Sequence, residues 1–196
     1  MSVIYTIGHS THSAEEFLRL LEGQEITAIA DVRSSPFSCY NPQYNRDSLK
    51  NRLRSIGINY VFLGNELGAR SKEPAHYENG QVQYDRIAES DMFKRGLNRV
   101  EKGAKEYRIA LMCAEKEPLD CHRTILVARA LVRKGHDVRH ILSDGTAEGH
   151  QETINRLVRN LSNSLDLFMS TDEMETVAYR LREQEIAFAG STGTKS

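Results

Sequence analysis

Cys113, Glu115, Cys121, His122 and Arg123 bring thiol, carboxyl, imidazole and guanidinium groups into one short stretch of the chain. A thiolate is a nucleophile, a half-buried carboxyl moves protons, and a guanidinium fork holds phosphate or carboxylate. Pro118-Leu119-Asp120 stands directly before an apolar helical stripe, so a helix is expected to start there with Asp120 as its N-cap. Cys121, His122 and Arg123 would then occupy the first turn, beside unpaired backbone N–H groups and the positive end of the dipole. Such a turn favours an anion and lowers a thiol pKa. The plainer alternative is that Cys121 packs under the helix start and Arg123 makes a structural ion pair.

Asp31 and Arg33 are two residues apart and share one side of an extended segment. Arg33 is a candidate anion-binding group, with Asp31 acting as a base or orienting His9. Equally, the two could form an internal tie that holds a loop. His9 and Ser10 follow Gly8, and His9 is an acid–base candidate. The expected catalytic groups are therefore Glu115, Cys121, His9 and Asp31. The expected substrate-binding groups are Arg33, Arg123, His122, Ser10 and Cys113. Cys-x7-Cys-His is not a ribbon or finger spacing, and adjacent Cys121 and His122 rarely both reach one ion, so no metal is expected. A Cys113–Cys121 redox pair lacks the C-x-x-C arrangement. Gly8-His9-Ser10 is not G-x-G-x-x-G and no P-loop is present, so no cofactor is expected either.

These residues need a scaffold. Val3–Ile7, Ile26–Val32, Ile58–Leu63, Arg108–Met112 and Val138–Leu142 read as strands, and helical patterns separate them. Continuously apolar strands alternating with helices predict a three-layer α/β domain over residues 1–145, with a mainly parallel sheet of about five strands. Ser13-Ala14-Glu15-Glu16 reads as a capping box. The polar stretch Asn65–Gln83 is longer than an ordinary connection and predicts a flap or mobile loop. Residues 146–189 carry two amphipathic stripes, Ile154, Leu157, Val158, Leu161 and Leu165, then Met174, Val177, Ala178 and Leu181 after the cap signal Ser170–Glu173. This pair of helices must dock on the α/β body or on another subunit, which makes a homo-oligomer an expectation. Residues 190–196 are expected to be a frayed tail.

In open parallel sheets, ligands bind beyond the carboxyl ends of the strands. Those ends carry His9, Asp31 and Arg33, Gly64 and Glu66, Cys113 and Glu115, and Asp144. The ordered set Thr6-Ile7-Gly8-His9-Ser10, Asp31-Val32-Arg33 with Pro36 and Ser38, Leu67-Gly68, Cys113-Ala114-Glu115, Cys121-His122-Arg123 and His140-Ile141 resembles the domain-of-unknown-function 488 family over about residues 3–145. The resemblance implies the same α/β fold and points to the same residues, but supplies no reaction.

Composition limits the function classes. The chain has 196 residues, 39% of them hydrophobic, and a net charge of −1, which exclude a disordered chain and a strongly basic nucleic-acid binder. Residues 33–144 carry a local charge of +6 and residues 145–196 carry −3. No apolar run is long enough for a membrane span, no signal peptide is evident, and three cysteines are no disulfide framework, so a cytoplasmic location is expected. The expected function is an enzyme, a hydrolase or group transferase, acting on a small phosphorylated or nucleotide-like anion. The alternative is a non-catalytic module for nucleotides or nucleic acid. It would use Tyr40, Tyr44, Arg46, Arg70, Lys72, His76, Tyr77, Tyr84 and Arg86 for stacking and phosphate contact.

Overall fold

A computed structural model describes residues 2–161 and 169–190. Five parallel strands form the centre: β1 (Val3–Gly8), β2 (Ala28–Asp31), β3 (Asn59–Phe62), β6 (Ile109–Cys113) and β7 (Asp137–Ile141). The sheet order is β3-β2-β6-β1-β7-β8, where β8 (Ala147–Gly149) is a sixth strand that runs antiparallel to β7. β8 lies beyond residue 145, so the segment that follows the expected α/β domain still supplies an edge of its sheet.

Alternation along the strands builds the three layers. Tyr5, Ile7, Ile29, Ala110 and Met112 face α1 (Ala14–Gly23) and α2 (Arg46–Ser55), meeting Phe17, Leu21, Leu49 and Leu53. Ile4, Ala28, Ala30, Leu111 and Cys113 face the opposite way. That face is covered by α5 (Asp91–Gly103), the helix containing Ile125 to Leu131, α7 (His150–Asn160) and α8 (Thr171–Ile186). Both faces are buried, which is why the strands read as unbroken apolar runs.

Ser13 accepts from the Glu16 N–H at 3.1 Å, as its position predicts, but the Glu16 side chain turns to Arg19 rather than back to the cap. Ser170 and Glu173 complete a reciprocal box. Ile154, Leu157, Ala178 and Tyr179 are buried in the same core as the sheet, so both C-terminal helices dock on the body of their own chain. That removes the physical motive for pairing them between subunits. Leu165 and the tail 191–196 lie outside the described residues, while Gly190 donates to the Gly80 carbonyl at 2.8 Å. The stretch expected as a flap contains α3 (Gly64–Leu67) and a hairpin of β4 (Tyr77–Glu78) and β5 (Gln81–Val82), followed by α4 (Tyr84–Glu89). Among the described residues, no helix is long and apolar enough to cross a membrane.

The helix after β6 departs from expectation. Pro118–Asp120 is a separate 3-10 turn, capped by the Glu117 carboxylate rather than by Asp120. Cys121 is extended (φ −136°, ψ 138°), and the chain turns helical only at His122 (φ −57°, ψ −25°). Arg123–Ala128 is a π-helix, buried throughout, that continues into α6 (Arg129–Arg133). Such wide turns are rare and concentrate at functional sites.

Candidate functional site

A pocket of about 400 Å³ opens where the ends of β1, β2 and β6 meet. His9, Arg33, Cys113, Glu115 and His122 line it. Gly8 lets these ends close together: a Cβ there would sit 1.8 Å from the Glu115 carbonyl oxygen. Gly64 does the same for the β2 end, where a Cβ would sit 1.9 Å from the Arg33 carbonyl oxygen.

On one side, Asp31 is completely buried and holds Arg33 with both oxygens, from Nε at 2.9 Å and Nη2 at 2.7 Å. Tyr60 donates its hydroxyl to the same carboxylate at 2.7 Å. Arg33 also donates from Nη2 to the Tyr44 carbonyl and from Nη1 to His9 Nε2 at 3.2 Å. One of its five N–H bonds, on Nη1, is left without a partner among the described residues. Asp31 does not line the pocket, and both of its oxygens are engaged by Arg33 and Tyr60. The internal tie and the binding role are therefore compatible, with one residue serving each.

The neighbours of His9 fix its state. A carbonyl can only accept, so Nδ1 carries the proton given to the Ser10 carbonyl at 2.8 Å. A guanidinium can only donate, so Nε2 is the acceptor. Burial, together with the Arg33 charge, lowers the His9 pKa to about 4. Tyr44 stacks on the imidazole at 4.2 Å. His9 is a neutral, fixed group, not a base that titrates near pH 7. Ser10 does not line the pocket and contributes its carbonyl to His9.

The opposite wall holds the sulfur groups. Cys113 and His122 line the pocket, whereas Cys121 lies behind them with 1% of its surface exposed. Cys113 Sγ is 3.7 Å and Cys121 Sγ 3.8 Å from His122 Nδ1. Cys121 is also 2.9 Å from Glu115 Oε2 and accepts from the Arg123 N–H at 3.4 Å, so the thiol takes the capping position expected of Asp120. Burial pushes the Cys121 thiol up, but the Cys113 hydrogen bond and the charges of Arg123 and His122 hold it well below the usual range. The Cys121 hydrogen bond and burial push Cys113 well above its usual range. Burial and the neighbouring Cys121 charge raise Glu115.

Spacing argued against Cys121 and His122 reaching one point. The fold overrides this, because the backbone turns from extended to helical between them and swings both side chains to one side. The donor atoms of Cys113, Cys121 and His122 all lie within 4.8 Å of one another.

Arg123 does not reach the pocket. Its side chain is fully buried, donates to the carbonyls of Glu115 at 2.6 Å and Lys116 at 3.1 Å, and does not line the pocket. Here the guanidinium fork folds the loop that presents Glu115. The expected stacking set also divides: Tyr44 and Tyr84 are buried, and Arg86 is held by Glu78 and two carbonyls.

Several pocket residues carried no functional assignment in the sequence. Ser34, Ser35, Ser38 and Asn41 line it from the loop after β2, where they read as ordinary turn residues. Phe37 stands at the wall and is 67% exposed. Ile186 and Phe188 reach it from the C-terminal segment, where Phe188 packs beneath the Arg70 guanidinium at 4.7 Å. No local signal marks Phe188, because only tertiary docking brings it to the pocket.

A family model described as Domain of unknown function DUF488 matches residues 13–130, a narrower span than the motifs suggested. No curated protein and no solved structure matches the chain.

Proposed function

The chain belongs to the DUF488 family, whose match takes in Arg33, Cys113, Glu115 and His122, and from that premise we propose an enzyme acting on a small phosphorylated or nucleotide-like anion in this pocket. The reaction class is hydrolysis or group transfer, carried out in the cytoplasm. The reading rests on one observation: a buried arginine, fixed by Asp31, keeps an unspent N–H at the wall of a pocket that also presents a carboxyl and a thiol. A guanidinium fixed in advance loses little freedom when it takes a phosphate. Ser34, Ser35, Ser38 and Asn41 supply neutral hydrogen-bonding groups beside it. Phe37 and Phe188 offer flat apolar surface for the organic part of the ligand. Glu115 is the group placed to exchange a proton with a bound substrate.

Thermal shifts with paired ligands test this. Nucleoside and sugar phosphates should raise the melting temperature, and the same compounds without phosphate should not. Arg33→Lys should abolish that difference. Equal shifts, or none, for both members of every pair would overturn the reading. Turnover of a bound phosphate compound, lost in Glu115→Gln with binding retained, would establish catalysis. Binding without turnover would favour the non-catalytic module.

A further inference from the structure

We propose that Cys113, Cys121 and His122 form a three-ligand site for a divalent ion of the zinc class, with the remaining coordination position facing the pocket. Two thiolates and an imidazole are the donor set such ions prefer. The two sulfur–nitrogen spacings fit an ion between them. With Zn–S of about 2.3 Å and Zn–N of about 2.0–2.1 Å, tetrahedral angles place sulfur and nitrogen about 3.6 Å apart. The two S···N distances are 3.7 and 3.8 Å. Each length alone is also that of a sulfur–nitrogen hydrogen bond; what points to an ion is that both sulfurs converge on the same ring nitrogen.

The surroundings are those of a ligand set. His122 donates Nε2–H to the Val32 carbonyl at 3.2 Å, which turns Nδ1 toward both sulfurs, where a bound ion would take the place of a proton. This outer hydrogen bond is the usual partner of a ligating histidine. Cys113 is the last residue of β6, His122 immediately precedes the π-helix, and Cys121 is the extended residue that joins it to the 3-10 turn. Cys113 and His122 line the pocket, so two of the three ligands border the space that a fourth, incoming ligand would enter. Three protein ligands with an open position characterise catalytic more than structural zinc sites. The third cysteine, Cys39, is exposed and takes no part.

The site goes beyond the phosphate reading, and the two are tested separately. Protein purified under reducing conditions should take up one equivalent of zinc per chain by elemental analysis. Cobalt added to the metal-free protein should give thiolate-to-cobalt charge-transfer bands and the d–d bands of tetrahedral coordination. Zinc should displace it and erase both. Cys113→Ser, Cys121→Ser and His122→Gln should each weaken zinc binding by more than the roughly 10–100-fold that follows loss of an outer partner. Cys39→Ser should leave it unchanged. A wild-type protein that binds neither metal, or whose cobalt spectrum lacks thiolate charge transfer, overturns the site whether or not the variants fold. Phosphate binding measured on metal-free protein reports on the Arg33 pocket without the ion, so either proposal can fail without the other.

Discussion

Arg33 donates from Nη1 to His9 Nε2 at 3.2 Å, and this bond decides what His9 is able to do. A proton on Nε2 would set two donors against each other, and burial already lowers the pKa to about 4. Nitrogen-detected NMR at pH 7 should therefore show a neutral ring protonated at Nδ1, with half-protonation near pH 4. A His9 titrating at its ordinary value near 6.5 would contradict this geometry.

Asp31 and Arg33 form a pair whose side chains are 0% and 6% exposed, respectively. Removing one charge from such a pair strands the other and costs about 3–5 kcal/mol. Asp31→Asn should destabilise the fold by that amount in urea titrations. Tyr60→Phe, which removes one hydrogen bond from the same carboxylate, should cost only about 1–2 kcal/mol. Full stability in Asp31→Asn would show that the pair does not support the fold.

Gly8 lies in a strand at a negative φ open to any residue, so its requirement is space alone. Gly8→Ala must displace the Glu115 carbonyl and, with it, the Arg123 guanidinium, whose Nη1 would be 3.2 Å from the new Cβ. Overpacking of this kind costs about 1–3 kcal/mol, and backbone atoms leave little room for relief. Phosphate-dependent thermal shifts should vanish along with that stability. Gly23→Ala, where a Cβ would meet nothing within 4 Å, is the matched control: at the end of α1 it should raise stability by up to about 1 kcal/mol and leave the phosphate-dependent shifts unchanged.

These variants also separate what the sequence encodes locally from what folding adds. Apolar runs such as Ala28–Asp31 and Ile109–Cys113 are legible because burial on both faces leaves only apolar residues along them. Ser13 and Ser170 are legible as caps because the partner lies three residues away. β8 is not, since Ala-Glu-Gly has no strand pattern and pairs only because β7 offers an edge. Arg123 reads as an anion binder because guanidinium groups commonly are, and only the fold shows it fully buried, away from the pocket and donating to two carbonyls. The Cys121–His122 convergence depends on two successive backbone conformations that spacing alone does not specify.

A second polar chain lies in the core away from the pocket. Thr6 Oγ1 meets His140 Nδ1 at 2.8 Å, His140 Nε2 meets His150 Nδ1 at 3.0 Å, and His150 Nε2 meets the Tyr179 hydroxyl at 2.7 Å. It joins β1 to α8 through β7 and α7. Burial and the Arg129 charge lower His150 from 6.5 to about 4, and burial and the His150, Arg123 and Arg156 charges hold His140 well below its usual value. Between pH 6.5 and 4 the unfolded chain binds protons at His150 that the folded chain refuses, so stability falls as the solution is acidified. The His150 contribution is complete above pH 6.5 and gone below about 4, a loss of about 3 kcal/mol. His140 acts in the same direction. Urea midpoints should drop through this window, and His150→Gln should flatten the drop even where it lowers stability at pH 7.

Phe188 gives the sharpest test of what the pocket accommodates. Its ring reaches the wall because the Val82 N–H donates to the Phe188 carbonyl at 3.0 Å and Ala189 bridges to Gln81, which ties the end of the chain to the β4–β5 hairpin. Arg70 covers one face of the ring at 4.7 Å, which stiffens it as a surface for a planar ligand. Stacking of a base on an aromatic side chain contributes about 1–3 kcal/mol, whereas a phosphate alone gains nothing from it. Phe188→Ala should therefore weaken a nucleoside phosphate about tenfold or more and leave inorganic phosphate almost unchanged, with both followed by calorimetry on metal-free protein. Equal losses for the two ligands would mean that the segment merely closes the wall. No loss for either would move the organic part of the substrate toward Phe37, the exposed ring at the pocket.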